Sequence, residues 1–156
     1  MPMHNHTPGF LSWGIKGSFR DYLSRQADFS LTVADHASIG PGNVVRFPLR
    51  EGNGTAEWTG AGLALFVAHG GMMRLSLKNP VIKWSGSNLV IAFEFGAGIN
   101  GTDHFDVARL EEVPSDDPTR TYKSFLLPDA VGMFNEMYAP DSELDAVTVT
   151  PHVTHQ

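Results

Sequence analysis

A period of two runs through most of this chain, and it limits the fold more than any other feature of the sequence. Phe29, Leu31 and Val33 alternate with Ser30, Thr32 and Ala34. Leu63, Leu65, Val67 and His69 share one face of the next clear run, and Met73, Leu75 and Leu77 share a face of the return run. Between those two runs lies Gly70-Gly71, and Gly86-Ser87-Asn88 separates VIKWS from LVIAFEF. Alternation broken by such turns describes antiparallel hairpins. Residues 44–49, 105–113, 121–127 and 144–150 read as further strands. The 16 glycines and 10 prolines fit a chain of many turns and few long helices.

Two segments depart from that period. Residues 10–26 place Leu11, Ile15, Phe19, Tyr22 and Leu23 at helical spacing, with Ser12 as N-cap. Gly14 and Gly17 weaken such a helix by about 1 kcal/mol each relative to Ala. Residues 129–138 read as a second short helix. The expected fold is therefore mainly β, an antiparallel sandwich or open barrel with two short helices, rather than a βαβ wind. Residues 1–9 read as a flexible leader, 10–150 as a single domain and 151–156 as a flexible tail.

Composition narrows the function classes. With 156 residues, 42% of them hydrophobic and 18% charged, the chain is long enough for a real core. The net charge is -6 with only 11 Lys and Arg, and no basic run is present to neutralise phosphates. Nucleic acid is a poor partner, and no apolar stretch approaches the ~20 residues of a spanning helix. Read as written, the sequence shows no export signal, so the expectation is a cytoplasmic location. The absence of Cys removes thiolate metal sites and cysteine nucleophiles.

Several motifs read best as plain structure. Gly96-Ala97-Gly98-Ile99-Asn100-Gly101 matches G-x-G-x-x-G, but a strand pattern follows where a dinucleotide loop requires a helix. Asn53-Gly54-Thr55 and Asn100-Gly101-Thr102 have the glycosylation pattern and read as turns. His4 and His6 read as solvated terminal residues rather than metal ligands. His36 and His104 each follow an aspartate on alternating backbone, which sends the pair to opposite faces.

Two residues carry more interest. His69 ends an apolar strand face and, by alternation, faces the core or a pocket opening into it. Tyr22 lies four residues after Ser18, so a helix presents both oxygens on one face. Taken alone, each is more often a hydrogen-bonded core residue.

Around those residues lie longer motifs. Leu11-Ser-Trp-Gly-Ile-Lys-Gly-Ser-Phe-Arg-Asp-Tyr22 closely resembles the opening L-x-W-G-V-K-x-S-F-R-x-Y of the HtaA family, the haem-binding domains of bacterial haem uptake. The stretch from Gly62 through Phe66 to His69 and Met73 resembles the family's G-x-x-x-F-x-G-H-x-G-x-L, and Ala130 through Phe134 and Tyr138 to Val147 resembles its closing segment. Ala68 stands where the family has glycine, and Met72 and Met73 where small or polar residues and Leu are common.

The resemblance implies a β-rich domain with two short helices that binds haem through a tyrosine on the first. Carried over, Tyr22 is the axial ligand to ferric haem b, His69 hydrogen-bonds it, and Ser18 helps hold a propionate. Phe19, Trp58 and Met73 are the expected pocket wall, and Gly14 and Gly17 would let the porphyrin lie close to the helix. The implied partners are haem and another haem carrier or transporter component, with a monomer or homodimer as the assembly. Family members are usually exported. Ferric iron, a hard cation, favours an anionic oxygen, and tyrosine is a known haem ligand. Coordination and a hydrogen bond both favour the phenolate of a group whose ordinary pKa is about 10. The competing expectations are a cofactor-free interaction module and, ranked last, a haem-dependent peroxidase-like enzyme, for which the sequence names no distal acid–base group.

Overall fold

The computed structural model describes residues 5–7, 9–50, 56–94, 104–134, 136–151 and 153–155. Its strands are β1 (Asn5–Thr7), β2 (Phe10–Trp13), β3 (Ser30–Ala34), β4 (Ser38–Ile39), β5 (Val45–Arg50), β6 (Trp58–Gly60), β7 (Leu63–Ala68), β8 (Met73–Lys78), β9 (Val81–Ser85), β10 (Asn88–Glu94), β11 (His104–Val113), β12 (Arg120–Leu126), β13 (Glu143–Thr150) and β14 (Val153–His155). Helix α1 is Gly17–Ser24, and Pro128–Phe134 is a 3-10 helix.

An eight-stranded antiparallel barrel organises the molecule, in the order β2-β13-β12-β11-β10-β9-β6-β5. It closes because β5 pairs back onto β2, from Phe10 opposite Pro48 to Trp13 opposite Val45. Closure removes the open edges that a flat sheet would leave. β4 extends the sheet at β5, and β3, β7 and β8 form a separate three-stranded sheet. β1 and β14, in the segments read as leader and tail, pair with each other.

Alternation sets the core. Leu11 and Trp13 are buried on β2, Val45 and Phe47 on β5, Ile91 and Phe93 on β10. Trp13 stacks on Phe93 with ring centroids 5.7 Å apart, and Phe47 tilts against the same ring at 6.1 Å. Each aromatic pair adds about 1 kcal/mol beyond its area burial. A second aromatic group lies under α1, where Phe19 meets Phe134 edge-on at 5.5 Å and Phe66 at 6.5 Å.

The expected helix over 10–26 is corrected: it is a strand, a turn and a shorter helix. Leu11, Ile15, Phe19 and Leu23 are all buried, so the four-residue spacing is real but serves two elements. Between them Ile15 takes φ 66, which is rare for a β-branched residue. Its side chain is buried, and its carbonyl accepts the Asp145 amide at 2.7 Å, which holds the turn. Ser12 is accordingly no N-cap but a strand residue bonded to Thr148. Lys16 occupies the cap position with extended backbone and no side-chain cap.

Arg20 locks this turn from the helix side. Its Nη1 donates to the Gly14 carbonyl and to Asp145 Oδ2, both at 2.7 Å, and its Nε donates to the Gly42 carbonyl at 2.8 Å. A Cβ on Gly14 would stand 2.4 Å from that Nη1. Gly14 therefore makes room for a guanidinium, not for a flat ligand, contrary to the expectation from the motif.

The second expected helix, 129–138, is corrected to the 3-10 helix Pro128–Phe134. It starts at a proline, and Gly132 weakens it internally. Its bonds skip three residues, as in Ala130 N–H to Leu127 O at 3.0 Å.

Candidate functional site

Helix α1 turns Phe19 and Leu23 into the core, which leaves Ser18 and Tyr22 exposed on an adjoining flank. Tyr22 keeps 36% of its surface open to solvent. Gln26, two residues past the end of α1, donates from Nε2 to the Tyr22 carbonyl at 3.0 Å.

His69 arrives from the other direction. Expected to continue the face of Leu63, Leu65 and Val67 toward the core, it does not: Ala64, Phe66 and Ala68 form the buried face of β7, and the other face is half-exposed. His69 leaves the strand altogether. It takes φ 56, followed by Gly70 at φ 64 and Gly71 at φ 93. This left-handed run swings the imidazole outward, and His69 Nε2 lies 2.6 Å from Tyr22 Oη. The two rings are tilted, with centroids 5.7 Å apart.

The turn is fastened by a residue the sequence reading passed over. Asp28 Oδ1 accepts the His69 amide at 3.1 Å, and Oδ2 accepts the Gly70 amide. These two donors hold the Asp28 carboxyl below its ordinary value, the Gly70 amide contributing most.

A second pair flanks the first. Ser18 Oγ and Tyr138 Oη are 2.8 Å apart, and the Tyr138 ring stands edge-on to Phe134 at 6.5 Å. Two methionines near these segments are exposed, Met72 at 86% and Met137 at 41%. The two pairs together offer two phenols, an imidazole and a serine hydroxyl.

Tyr22, His69 and Ser18 therefore share one exposed face. Two of the expected wall residues lie in the core. Phe19 is fully buried beneath α1, and Met73 is buried on β8. Trp58 stands on β6, donating from Nε1 to Tyr122 Oη at 3.1 Å. It lines a different cavity, of about 670 Å³, with Glu112, Pro114, Arg120 and Pro151. Another cavity, of about 460 Å³, opens between Lys83, His104, Asp106 and Asp129. Neither contains Tyr22 or His69.

Among the described residues no three His, Asp or Glu side chains group to hold a bare metal ion. The glycine-rich run 96–101, both Asn-Gly-Thr sequences, His4 and the His6 side chain lie outside the described residues. The donor set at Tyr22 is instead one phenol oxygen backed by a ring nitrogen, which suits an iron already held by a macrocycle.

A family model, Htaa, matches residues 8–150. The chain belongs to the HtaA family. Its fold is also that of solved structures from Corynebacterium glutamicum. The C-terminal domain of HtaA superposes with TM-score 0.70 at 19% identity, covering 97% of this chain and 99% of that one. The heme binding protein HtaB gives 0.66 at 15% identity, covering 99% and 100%. A domain-swapped dimer of a histidine-to-alanine variant of the HtaA C-terminal domain gives 0.62 at 19% identity, covering 92% and 94%. No curated protein matches the chain.

Within this HtaA-family chain, sequence reasoning missed Tyr138 and Asp28 as site residues. Tyr138 carried a signal, since it stands four residues after the buried Phe134 in the closing segment. Asp28 carried none, because its partners lie 41 and 42 residues away.

Proposed function

We propose that this protein binds ferric haem b through the Tyr22 phenolate and carries or hands on haem without transforming it. His69 acts behind the ligand by donating from Nε2 to the phenolate oxygen. Ser18, paired with Tyr138, offers a hydroxyl to a propionate. The observation that carries the proposal is the 2.6 Å contact between an exposed phenol and an imidazole brought from separate elements. HtaB, similar in fold over the full length of both chains, is itself described as a heme binding protein.

The chemistry follows from the groups. Bound haem supplies a ferric centre that prefers an anionic oxygen. Tyr22 reaches that state by losing its proton, and a hydrogen bond from His69 favours the charged form. A proton returned to the phenolate weakens the iron–oxygen bond, which suits a carrier that must let go.

The test is a hemin titration followed by visible absorption. Wild type takes up one equivalent and shows a high-spin ferric spectrum with a phenolate-to-iron charge-transfer band. Tyr22→Phe loses the band and binds at least ~100-fold more weakly, with its far-UV circular dichroism unchanged. The same unsaturable spectrum from both proteins would overturn the haem assignment and favour a cofactor-free interaction module.

A further inference from the structure

We infer that Asp28 is the positioning residue of the proposed haem site: its carboxylate holds the His69 turn in register with Tyr22. The inference rests on the haem reading only for its consequence, because the geometry stands without a ligand.

Neither side chain of the Tyr22–His69 pair is fixed by burial, since both are exposed. His69 also carries a backbone conformation that costs a non-glycine residue about 1 kcal/mol or more. A 2.6 Å contact between two exposed groups on different elements needs something to hold the elements together. Asp28 provides it. It lies six residues after Tyr22, in the turn closed by the Phe29 amide on the Gln26 carbonyl at 3.1 Å. From there it accepts the amides of both His69 and Gly70. The left-handed turn points those two N–H groups the same way, as anion-binding nests do.

The result is a closed ring of bonds. It runs from Tyr22 along α1 to the Gln26 turn, across Asp28 to the His69 backbone, and through the imidazole back to Tyr22 Oη. The hydrogen bonds of Asp28 go to the two backbone amides, and its charge also acts on the His69 imidazole. Its removal therefore frees the turn and lets His69 rotate away. The same carboxylate ties the loop after α1 to the end of β7, so the ligand and its partner move together.

The test has an arm without haem and an arm with it. In the ligand-free protein, ¹⁵N NMR of the His69 ring reports its contact with Tyr22. Asp28→Ala moves those signals to the position they take in Tyr22→Phe, while the remaining backbone spectrum keeps its dispersion. Asp28→Asn keeps one acceptor oxygen and falls between, and it stands in for the alanine variant if that one does not fold. In the hemin-loaded protein, transfer to excess apomyoglobin gives the off-rate. Outer-shell partners of metal ligands contribute about 10–100-fold to metal affinity. Asp28→Ala speeds release about tenfold, His69→Ala does at least as much, and the double variant releases no faster than His69→Ala. Additive effects in the double variant, or His69 ring signals unmoved in Asp28→Ala and Asp28→Asn, overturn the inference. If wild type takes up no hemin, the haem proposal fails, and the ligand-free arm still decides the role of Asp28.

Discussion

Tyr122 and Tyr22 each place a hydroxyl against a ring nitrogen, at 3.1 Å from Trp58 and 2.6 Å from His69. The two settings differ in every other respect. Tyr122 is 3% exposed on β12, whereas Tyr22 is 36% exposed on α1. Burial pushes the Tyr122 phenol above its ordinary value, since water cannot solvate the anion there. Its partner is an indole, which can only donate. Tyr122 is thus a neutral acceptor that ties β12 to β6 inside the barrel wall. Tyr22 has an imidazole partner that can donate or accept, and its oxygen lies where a ligand can reach it. Exposure and the chemistry of the partner, rather than residue type, divide a structural tyrosine from one that can bind.

Exchanging the two phenols for phenylalanine should break the molecule in opposite ways. Tyr22→Phe removes the proposed ligand, with thermal stability within a degree or two of wild type. Tyr122→Phe leaves the Trp58 N–H without its acceptor and costs about 1 kcal/mol. For a domain of this size that lowers Tm by roughly 2–4 °C, and haem uptake stays at the wild-type level. Calorimetry and hemin titration on both variants check the crossing. A Tyr122→Phe protein that loses haem would show that the two regions are coupled.

Much of this contrast was open to sequence reasoning on one side only. Alternation located β3, β5 and β7 to β13, because each has one buried and one wetter face or lies between clear turns. It could not see that β5 returns to β2, so a sandwich and a barrel looked alike. The segment 10–26 misled because Leu11, Ile15, Phe19 and Leu23 satisfy a helical period while the backbone reverses at Ile15. Tyr22, Ser18 and His69 stood out through motif resemblance. Their meeting depends on three successive left-handed residues, and alternation assigned His69 to the wrong face. Asp28 was invisible because a carboxylate that binds distant backbone leaves no local pattern.

A smaller effect follows from titration. Above the unfolded value, near 10.0 for tyrosine, the unfolded chain loses a proton that the folded Tyr122 keeps. The unfolded state then binds fewer protons, so stability falls as pH rises from there through the raised folded value. Urea midpoints measured from pH 8 upward should decline more steeply in wild type than in Tyr122→Phe. Identical slopes would mean that Tyr122 ionises as freely folded as unfolded, which its burial argues against.

A last expected effect is at Ser18 and Tyr138, and it sharpens what the exposed phenols share. Ser18 Oγ has Tyr138 Oη at 2.8 Å, so in the ligand-free protein each already has a partner. Where Ser18 is the donor of that pair, a propionate that takes its hydrogen bond replaces a bond instead of adding one, and the net gain is reduced. A hydrogen bond to a charged group contributes about 1.5–3 kcal/mol, and giving up a neutral one offsets about 1 of that. Ser18→Ala should therefore weaken hemin binding by about 2- to 30-fold, with the charge-transfer band of the Tyr22 ligand unmoved. Tyr138→Phe releases Ser18 from its partner and should cost no more than Ser18→Ala. A shifted band in either variant would place these hydroxyls at the iron and not at a propionate, which the one-turn offset between Ser18 and Tyr22 argues against.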